Sequence, residues 1–216
     1  MNRRTRLTSA IVLAAALGGC AREGELVVSQ GVGITAVLTS CPAVGVPDYT
    51  GDITTFRGGG EKNSTNIDFS ASITNLRSTC DESGARVYSN ATFDVLARRT
   101  DVRGARQVSI PYFVTVLRGG SAVVSKRVGQ LTLNFADGQE RAQASGTAAS
   151  YVDRAAASLP PEIRERITRR RRPGDVDAAL DPLADPEVRA AIQRTSFEML
   201  IGFQLTEDQL AYNATR

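Results

Sequence analysis

Histidine, the commonest general base in enzymes, is absent from this chain of 216 residues. Its absence excludes Ser-His-Asp and Cys-His triads and zinc sites with histidine ligands. The two lysines, Lys62 and Lys126, do not follow a serine at the Ser-x-x-Lys spacing. Residues 58–62 are rich in glycine, but their spacing differs from that of a phosphate-binding P-loop, so we interpret them as a surface loop.

Carboxylates are the remaining candidates for acid, base or metal-binding chemistry. Asp94, Asp101 and Asp153 could form catalytic pairs of the kind that glycosidases use, but their sequence context does not distinguish them and we expect them to be solvated. The acidic residues between positions 175 and 187 lack the glycine turn and closing glutamate of an EF-hand. We expect them to cap short helices. The sequence therefore predicts no catalytic residue, no metal and no cofactor.

The N-terminus contains the most distinctive motif of the chain. Arg3, Arg4 and Arg6 precede an apolar stretch at residues 10–17, and small residues then lead to a cysteine in Leu17-Gly18-Gly19-Cys20. The apolar stretch is too short for a membrane-spanning helix, which needs roughly 20 residues. A basic segment, an apolar segment and a small-residue cleavage point are typical of an export signal.

The tetrad resembles the lipobox of bacterial lipoproteins, and the chain is similar to small envelope lipoproteins of proteobacteria. This resemblance implies cleavage of residues 1–19, acylation of Cys20 and attachment to a membrane through the acyl chains. Ala21 follows the cysteine, which by analogy with enteric bacteria implies the outer membrane. We expect the chain in its periplasmic leaflet rather than at the cell surface. Residues 20–25 would form a short tether, and residues 26–216 a single domain.

Cleavage of the signal also changes the charge balance. The chain has 26 basic and 23 acidic residues, and loss of Arg3, Arg4 and Arg6 leaves 26 − 3 = 23 basic residues. The remaining chain is neutral overall, so its composition does not favour a nucleic-acid partner.

Cys41 and Cys80 remain after Cys20 has been assigned to lipid. In an oxidising envelope compartment, we expect them to form a disulfide, with two separate buried thiols as the alternative. Each cysteine follows a predicted strand of the same direction, because one further strand lies between the two. The predicted chain path therefore brings both cysteines to the same end of a sheet.

Arginine is concentrated in one segment, at Arg164, Arg166, Arg169, Arg170, Arg171 and Arg172. The last four arginines are expected to follow a helix, where cations stabilise the helix dipole. Two alternatives are pairing with the acidic segment that follows, and contact with anionic lipid or lipopolysaccharide phosphates through Arg169, Arg170, Arg171 and Arg172.

Alternation of apolar and polar residues predicts a mainly β fold. The alternating segments are residues 32–38, 67–74, 87–97, 108–117, 122–135, 142–148 and 197–205, with a further strand at 52–56. Gly119-Gly120 predicts a hairpin turn, and Pro111 predicts an edge strand or a bulge. We expect an antiparallel β-sandwich of about seven or eight strands.

Helical periodicity interrupts this pattern at about residues 151–194, before the last strand. Leu159, Ile163 and Ile167 lie four residues apart, which predicts a helix that begins near Pro161. Asp185-Pro186 is expected to open a second helix, and Thr206 with Gln209 predicts a capped helix at the C-terminus.

These features favour a lipid-anchored binding or scaffolding module without catalytic activity, whose partner is another protein of the cell envelope. A carrier or sensor of lipid or lipopolysaccharide is the first alternative. It would use a cavity between the sheets or the arginines between Arg164 and Arg172. A periplasmic hydrolase is the third.

Overall fold

The computed structural model describes residues 39–59, 61–172 and 174–215. In this part of the chain, eight strands form two four-stranded sheets. The strands are β1 (Ala43–Gly45), β2 (Asp52–Phe56), β3 (Ile67–Asp81), β4 (Arg86–Arg99), β5 (Arg106–Arg118), β6 (Ala122–Phe135), β7 (Arg141–Asp153) and β8 (Phe197–Phe203). The helices are α1 (Pro161–Thr168), α2 (Pro186–Thr195) and α3 (Glu207–Thr215).

Sheet I has the strand order β1-β8-β5-β6, and sheet II has the order β2-β3-β4-β7. All pairings are antiparallel except that of β1 with β8. The predicted mainly β sandwich with a helical segment before the last strand is confirmed. The predicted strand at 32–38 lies outside the described residues. β1 was not predicted, because its three residues are too few to show an alternating pattern.

The core is built from the inward-facing residues of both sheets, as the alternation predicts. Phe69 and Phe93 from sheet II meet Phe135, Met199 and Phe203 from sheet I, and each is at least 97% buried. These large side chains fill the space between the sheets.

Gly146 on β7 leaves the room that the Phe93 ring occupies. A Cβ atom at position 146 would lie only 2.3 Å from Cζ of Phe93. The small residue on β7 therefore allows close packing of the two sheets here.

Replacing Gly146 with alanine is expected to lower the free energy of unfolding by about 1–3 kcal/mol, because the added methyl group overpacks the core. Gly45→Ala is the control, since its Cβ atom would meet only Leu200, at 3.9 Å. We expect the control to change stability by less than about 0.5 kcal/mol. Urea denaturation measures both variants, and equal effects would contradict this account of the packing.

Of the two alternatives predicted from Pro111, the edge strand is wrong, whereas β5 does carry a register shift, although not at Pro111 itself. β5 lies inside sheet I, between β6 and β8, and its register shift occurs at Val116 and Leu117. The carbonyl of Pro111 accepts a hydrogen bond from the Gln204 backbone nitrogen, one residue beyond the end of β8. The N–H that proline lacks would point to the same side, where the β5–β8 ladder has already ended.

The helices begin where the sequence predicts. Pro161 opens α1, and the Asp185 side chain caps α2 by accepting hydrogen bonds from the backbone of its first turn. Thr206 and Gln209 form a reciprocal capping box at α3: the Thr206 backbone donates to Gln209 Oε1 at 3.0 Å, and the Gln209 backbone donates to Thr206 Oγ1 at 3.3 Å. None of the helices in the described part of the chain is long and apolar enough to cross a membrane.

A bidentate ion pair joins the two sheets near the starts of β3 and β5. Arg106 donates to both carboxylate oxygens of Asp68, at 2.7 and 2.6 Å. These hydrogen bonds lower the pKa of Asp68 below its ordinary value of 3.8, although partial burial opposes the shift.

The Asp68–Arg106 pair is expected to make stability depend on pH. Because the folded-state pKa of Asp68 is depressed, its contribution is present above 3.8 and is lost as the pH falls through the folded-state pKa. Asp68→Asn should cost about 1 kcal/mol at pH 7, since both side chains are partly exposed. The difference from wild type should shrink on acidification, and a difference in unfolding free energy that stays constant down to pH 2 would contradict this.

Candidate functional site

The candidate site is a concavity of about 600 Å³ on the outer side of sheet II. Ala71, Ala97 and Ala142 also line it, and because their side chains pack on the core side, they contribute backbone to its floor. We call it the concave face and define it by its larger lining residues. These are Ser70, Ser72, Thr74, Leu96, Arg98, Arg141 and Gln143.

The strand period of two places these side chains on one face. On β3, Ser70 and Ser72 point outward, while Phe69 and Ala71 point into the core. The pairing register sets Ser70 opposite Arg98, and Arg98 opposite Arg141. A row of hydroxyl groups therefore lies beside a pair of guanidinium groups.

A β-bulge shapes one end of the concave face. The β3–β4 register shifts between Thr74 and Arg77, and Asn75 within this shift has φ 51°. Asparagine tolerates this left-handed conformation better than most residues. Bulges bend a strand and increase its twist, so the bulge contributes curvature beside the hydroxyl row.

Arg98 and Arg141 give the concave face its charge. Like charges directly opposite one another on neighbouring strands are unfavourable. Glu140 forms an ion pair with Arg98, whereas Arg141 is exposed and has no carboxylate within ion-pair distance among the described residues. One positive charge is therefore left to attract an anionic group.

Asp94 borders the concave face as a hydrogen-bond acceptor. Ser145 donates to one carboxylate oxygen at 2.7 Å, and Asn75 donates to the other at 2.8 Å. Both hydrogen bonds lower the pKa of Asp94, and the one from Ser145 has the larger effect. An ionised carboxylate of this kind does not act as a general acid at neutral pH.

The concave face can bind through hydroxyl, amide and guanidinium groups around the exposed side chain of Leu96. This mixture suits an extended polar segment with at least one carboxylate, because guanidinium groups bind carboxylates in a bidentate manner. No group of histidine, cysteine, aspartate or glutamate side chains in the described ranges is arranged to hold a metal ion.

The predicted disulfide between Cys41 and Cys80 is confirmed, with the two Cα atoms 6.1 Å apart. One detail of its prediction is wrong. Cys80 lies within β3, which continues to Asp81, rather than after a strand, and the strand predicted before Cys41 lies outside the described residues. Around the bridge, the Glu82 carboxylate accepts hydrogen bonds from the Thr39 hydroxyl at 3.0 Å and the Ser40 backbone at 2.9 Å. The lipidation candidate Cys20 lies outside the described residues.

The predicted anionic-lipid contacts Arg169, Arg170, Arg171 and Arg172 follow the end of α1, in a second compact unit of residues 168–180 that we describe by itself. Asp177 forms ion pairs with Arg169 and Arg171, as in the pairing alternative. The Arg172 backbone donates to Asp175 at 2.8 Å. Arg170 and Arg172 have exposed side chains.

The other residues of the acidic stretch cap helices as expected. Asp181 caps the short 3-10 helix Pro182–Ala184, and Asp185 caps α2. Arg166 lies close to this second cap and forms ion pairs with Asp185 at 3.2 Å and Glu187 at 2.8 Å. These carboxylates thus have structural roles at helix ends.

Sequence reasoning missed Arg99, whose side chain is only 1% exposed. Its guanidinium group donates to four backbone carbonyls, those of Val102, Gly104, Ala136 and Gln139, at 2.8–2.9 Å. It also lies 5.2 Å from the centroid of the Phe135 ring. This residue joins the β4–β5 and β6–β7 loops. Its position in the alternation of β4, in phase with Val95 and Ala97, was the one available indication that it points inward.

Comparison of the chain with protein-family models, with curated proteins and with solved structures gives no match.

Proposed function

We propose that this chain is a lipid-anchored module of the bacterial cell envelope that binds another envelope protein through the concave face and has no catalytic activity. The observation that carries the proposal is the concave face itself, a cavity of about 600 Å³ with a guanidinium pair beside a row of hydroxyl groups. Its groups are suited to recognition rather than to proton transfer.

The partner surface is an extended segment that carries a carboxylate. Arg141 supplies the charge that Glu140 does not balance, and Ser70 and Gln143 offer hydrogen bonds to a polar backbone or side chain. The Ser72 hydroxyl already donates to Asp52, so it remains available only as an acceptor. Leu96, which is 48% exposed, provides an apolar contact in the middle of this polar surface. Such an arrangement favours a specific protein contact over a general electrostatic one.

The anchor rests on the N-terminal motif and is consistent with the disulfide. Acylation of Cys20 would hold the chain at the outer membrane, facing the periplasm, and disulfides persist in that compartment. The Cys41–Cys80 bridge supports an oxidising location. The filled core supports a binding module over a carrier with a cavity between the sheets.

Site-specific photocrosslinking in cells tests the proposed partner surface. A photoreactive amino acid replaces Gln143 on the concave face, or Gln130 on β6 as a matched control. Both glutamines are exposed and lie on strands, but Gln130 belongs to sheet I. We expect a discrete crosslinked protein of the envelope from position 143, absent from position 130.

The Arg141→Gln substitution is the second part of this crosslinking experiment. It should reduce the yield of that crosslink about tenfold, since a charge-assisted hydrogen bond contributes roughly 1.5–3 kcal/mol. Equal crosslinking from both positions, or a yield that Arg141→Gln does not change, would overturn the proposed surface.

A further inference from the structure

One end of the sandwich, which we call the hairpin end, combines basic side chains that have no carboxylate partner among the described residues with exposed apolar side chains. It consists of the turn between β5 and β6, the first residues of β6 and the last turn of α2. The Gly119 backbone donates to the Ser196 carbonyl at 2.9 Å, which fixes the turn against the chain that follows α2. Gly119 and Gly120 both have positive φ, as this tight turn requires.

Two arginines frame a shallow pocket of about 310 Å³ at the hairpin end. Nε of Arg118 donates to the Arg194 carbonyl at 2.6 Å, and its guanidinium carbon lies 5.8 Å from the Phe197 ring centroid. Arg118 is therefore held in place by contacts that leave its charge unneutralised. In the described part of the chain, neither Arg118 nor Arg194 has a carboxylate within ion-pair distance.

The other residues around this pocket are also suited to an anion. They include Ser121 and Gln193, and none of the described residues that line the pocket is acidic. The held guanidinium group of Arg118 and the exposed one of Arg194, beside hydroxyl and amide donors, match the oxygens of a phosphate group.

Two exposed valines follow the turn at the start of β6, where Val123 pairs with Leu117. Val123 is 65% exposed and Val124 is 55% exposed. They belong to β6, the edge strand of sheet I, and Lys126 and Arg127 follow them on the same strand. Apolar residues flanked by basic residues are typical of surfaces that insert shallowly between lipid headgroups.

The path of the chain relates this surface to the proposed anchor. The described chain begins at Thr39, which lines a cleft together with Ile192, Thr195 and Ser196 at the end of α2. The hairpin end contacts this same end of the helix. Cys20 precedes Thr39 by 19 residues, a length that spans at most about 65 Å. The described chain therefore begins beside the hairpin end, and this length sets the upper limit on how far an anchor at Cys20 lies from it.

We infer that the hairpin end docks on the membrane, with a lipid phosphate between Arg118 and Arg194 and with Val123 and Val124 among the headgroups. This inference rests on the proposed lipid anchor, and it adds an orientation. The concave face, near the C-terminal end of β4, lies at the opposite end of the strands and stays accessible to a partner protein.

The test uses the full lipidated protein with an environment-sensitive fluorophore on a single introduced cysteine, Val123→Cys. Asn134→Cys is the control, because it lies on the same strand 11 residues away, about 37 Å at the rise of a strand. Vesicles of phosphatidylcholine, with or without phosphatidylglycerol, carry a nitroxide quencher on their headgroups. We expect quenching at position 123 to exceed that at position 134 at least threefold when phosphatidylglycerol is present.

The Arg118→Gln/Arg194→Gln variant should weaken docking about 25-fold, at roughly fivefold for each arginine. The charge-matched variant Arg77→Gln/Arg103→Gln should leave the quenching unchanged. Equal quenching at positions 123 and 134 in vesicle-bound protein would overturn the inference. So would a change in emission at position 123 with protein concentration in the absence of vesicles, since this would show that a second copy covers β6.

Flotation separates the two claims. Protein that floats with both kinds of vesicle but shows equal quenching retains the anchor and loses the docking surface. Protein that floats only with phosphatidylglycerol, with quenching at position 123, retains the docking surface and loses the anchor. Protein that floats with neither contradicts both claims.

Discussion

Replacing Arg99 with methionine is expected to lower the free energy of unfolding by about 3–5 kcal/mol. The substitution keeps an unbranched side chain but removes every donor. The four carbonyls that Arg99 satisfies, on two separate loops, lose this partner at a site where the side chain is almost fully buried. Urea denaturation followed by circular dichroism measures the loss.

The neighbouring arginine is a matched control. Arg98 precedes Arg99 on β4 but points outward, where it pairs with Glu140, and its side chain is 67% exposed. Arg98→Met should cost less than about 1 kcal/mol. Arg99→Lys should fall between the two variants, because a single ammonium group cannot reach four carbonyls spread around a guanidinium plane. Equal effects of Arg99→Met and Arg98→Met would show that Arg99 does not hold the loops together.

Removal of the disulfide by the Cys41→Ala/Cys80→Ala double substitution is expected to cost about 3–4 kcal/mol. The bridge closes a loop over a sequence separation of 39 residues, and cross-linking such a loop restricts the unfolded chain. The core residues of the sandwich are untouched, so the double variant should still fold, with a lower midpoint of unfolding.

Chemical reduction supplies the control for this substitution. Reductant should destabilise the wild-type protein by a similar amount and leave the double variant unchanged. A loss below about 1 kcal/mol would contradict the expected contribution, and would show that the hydrogen bonds of Thr39 and Ser40 to Glu82 already hold this junction in place.

Strand alternation was a reliable guide to the fold because one face of each long strand is buried. Phe93, Val95 and Ala97 on β4 point inward, in the phase that the sequence indicates. The starts of the helices could be predicted equally well, since Pro161 and Asp185 act through local geometry alone. Pro111 did not indicate whether β5 lies at the edge of its sheet, because the effect of the missing N–H depends on where a distant strand, β8, ends.

The candidate site was much less predictable than the fold. Ser70, Ser72 and Gln143 are ordinary outward-facing strand residues, and only the pairing of β3, β4 and β7 brings them together. Arg98 and Arg141 become neighbours through the same register. The arginines at 169–172 were candidate lipid contacts because they are adjacent in sequence. In the structure, Arg169 and Arg171 pair with Asp177.

The position of Arg118 illustrates the same difficulty. In the sequence it is one arginine before a glycine turn, with no clustered partner. Its proximity to Arg194 depends on how α2 packs against the end of β5. Charge patches that form through tertiary structure leave no local pattern in the chain, whereas caps and turns do.

Mass spectrometry of the mature N-terminus, on protein taken from the membrane fraction, tests the central claim most directly. The account predicts a chain that begins at Cys20 and carries the added mass of its acyl groups, and a Cys20→Ser variant that is not acylated. A mature chain that begins at another residue, or that begins at Cys20 without lipid, would contradict it.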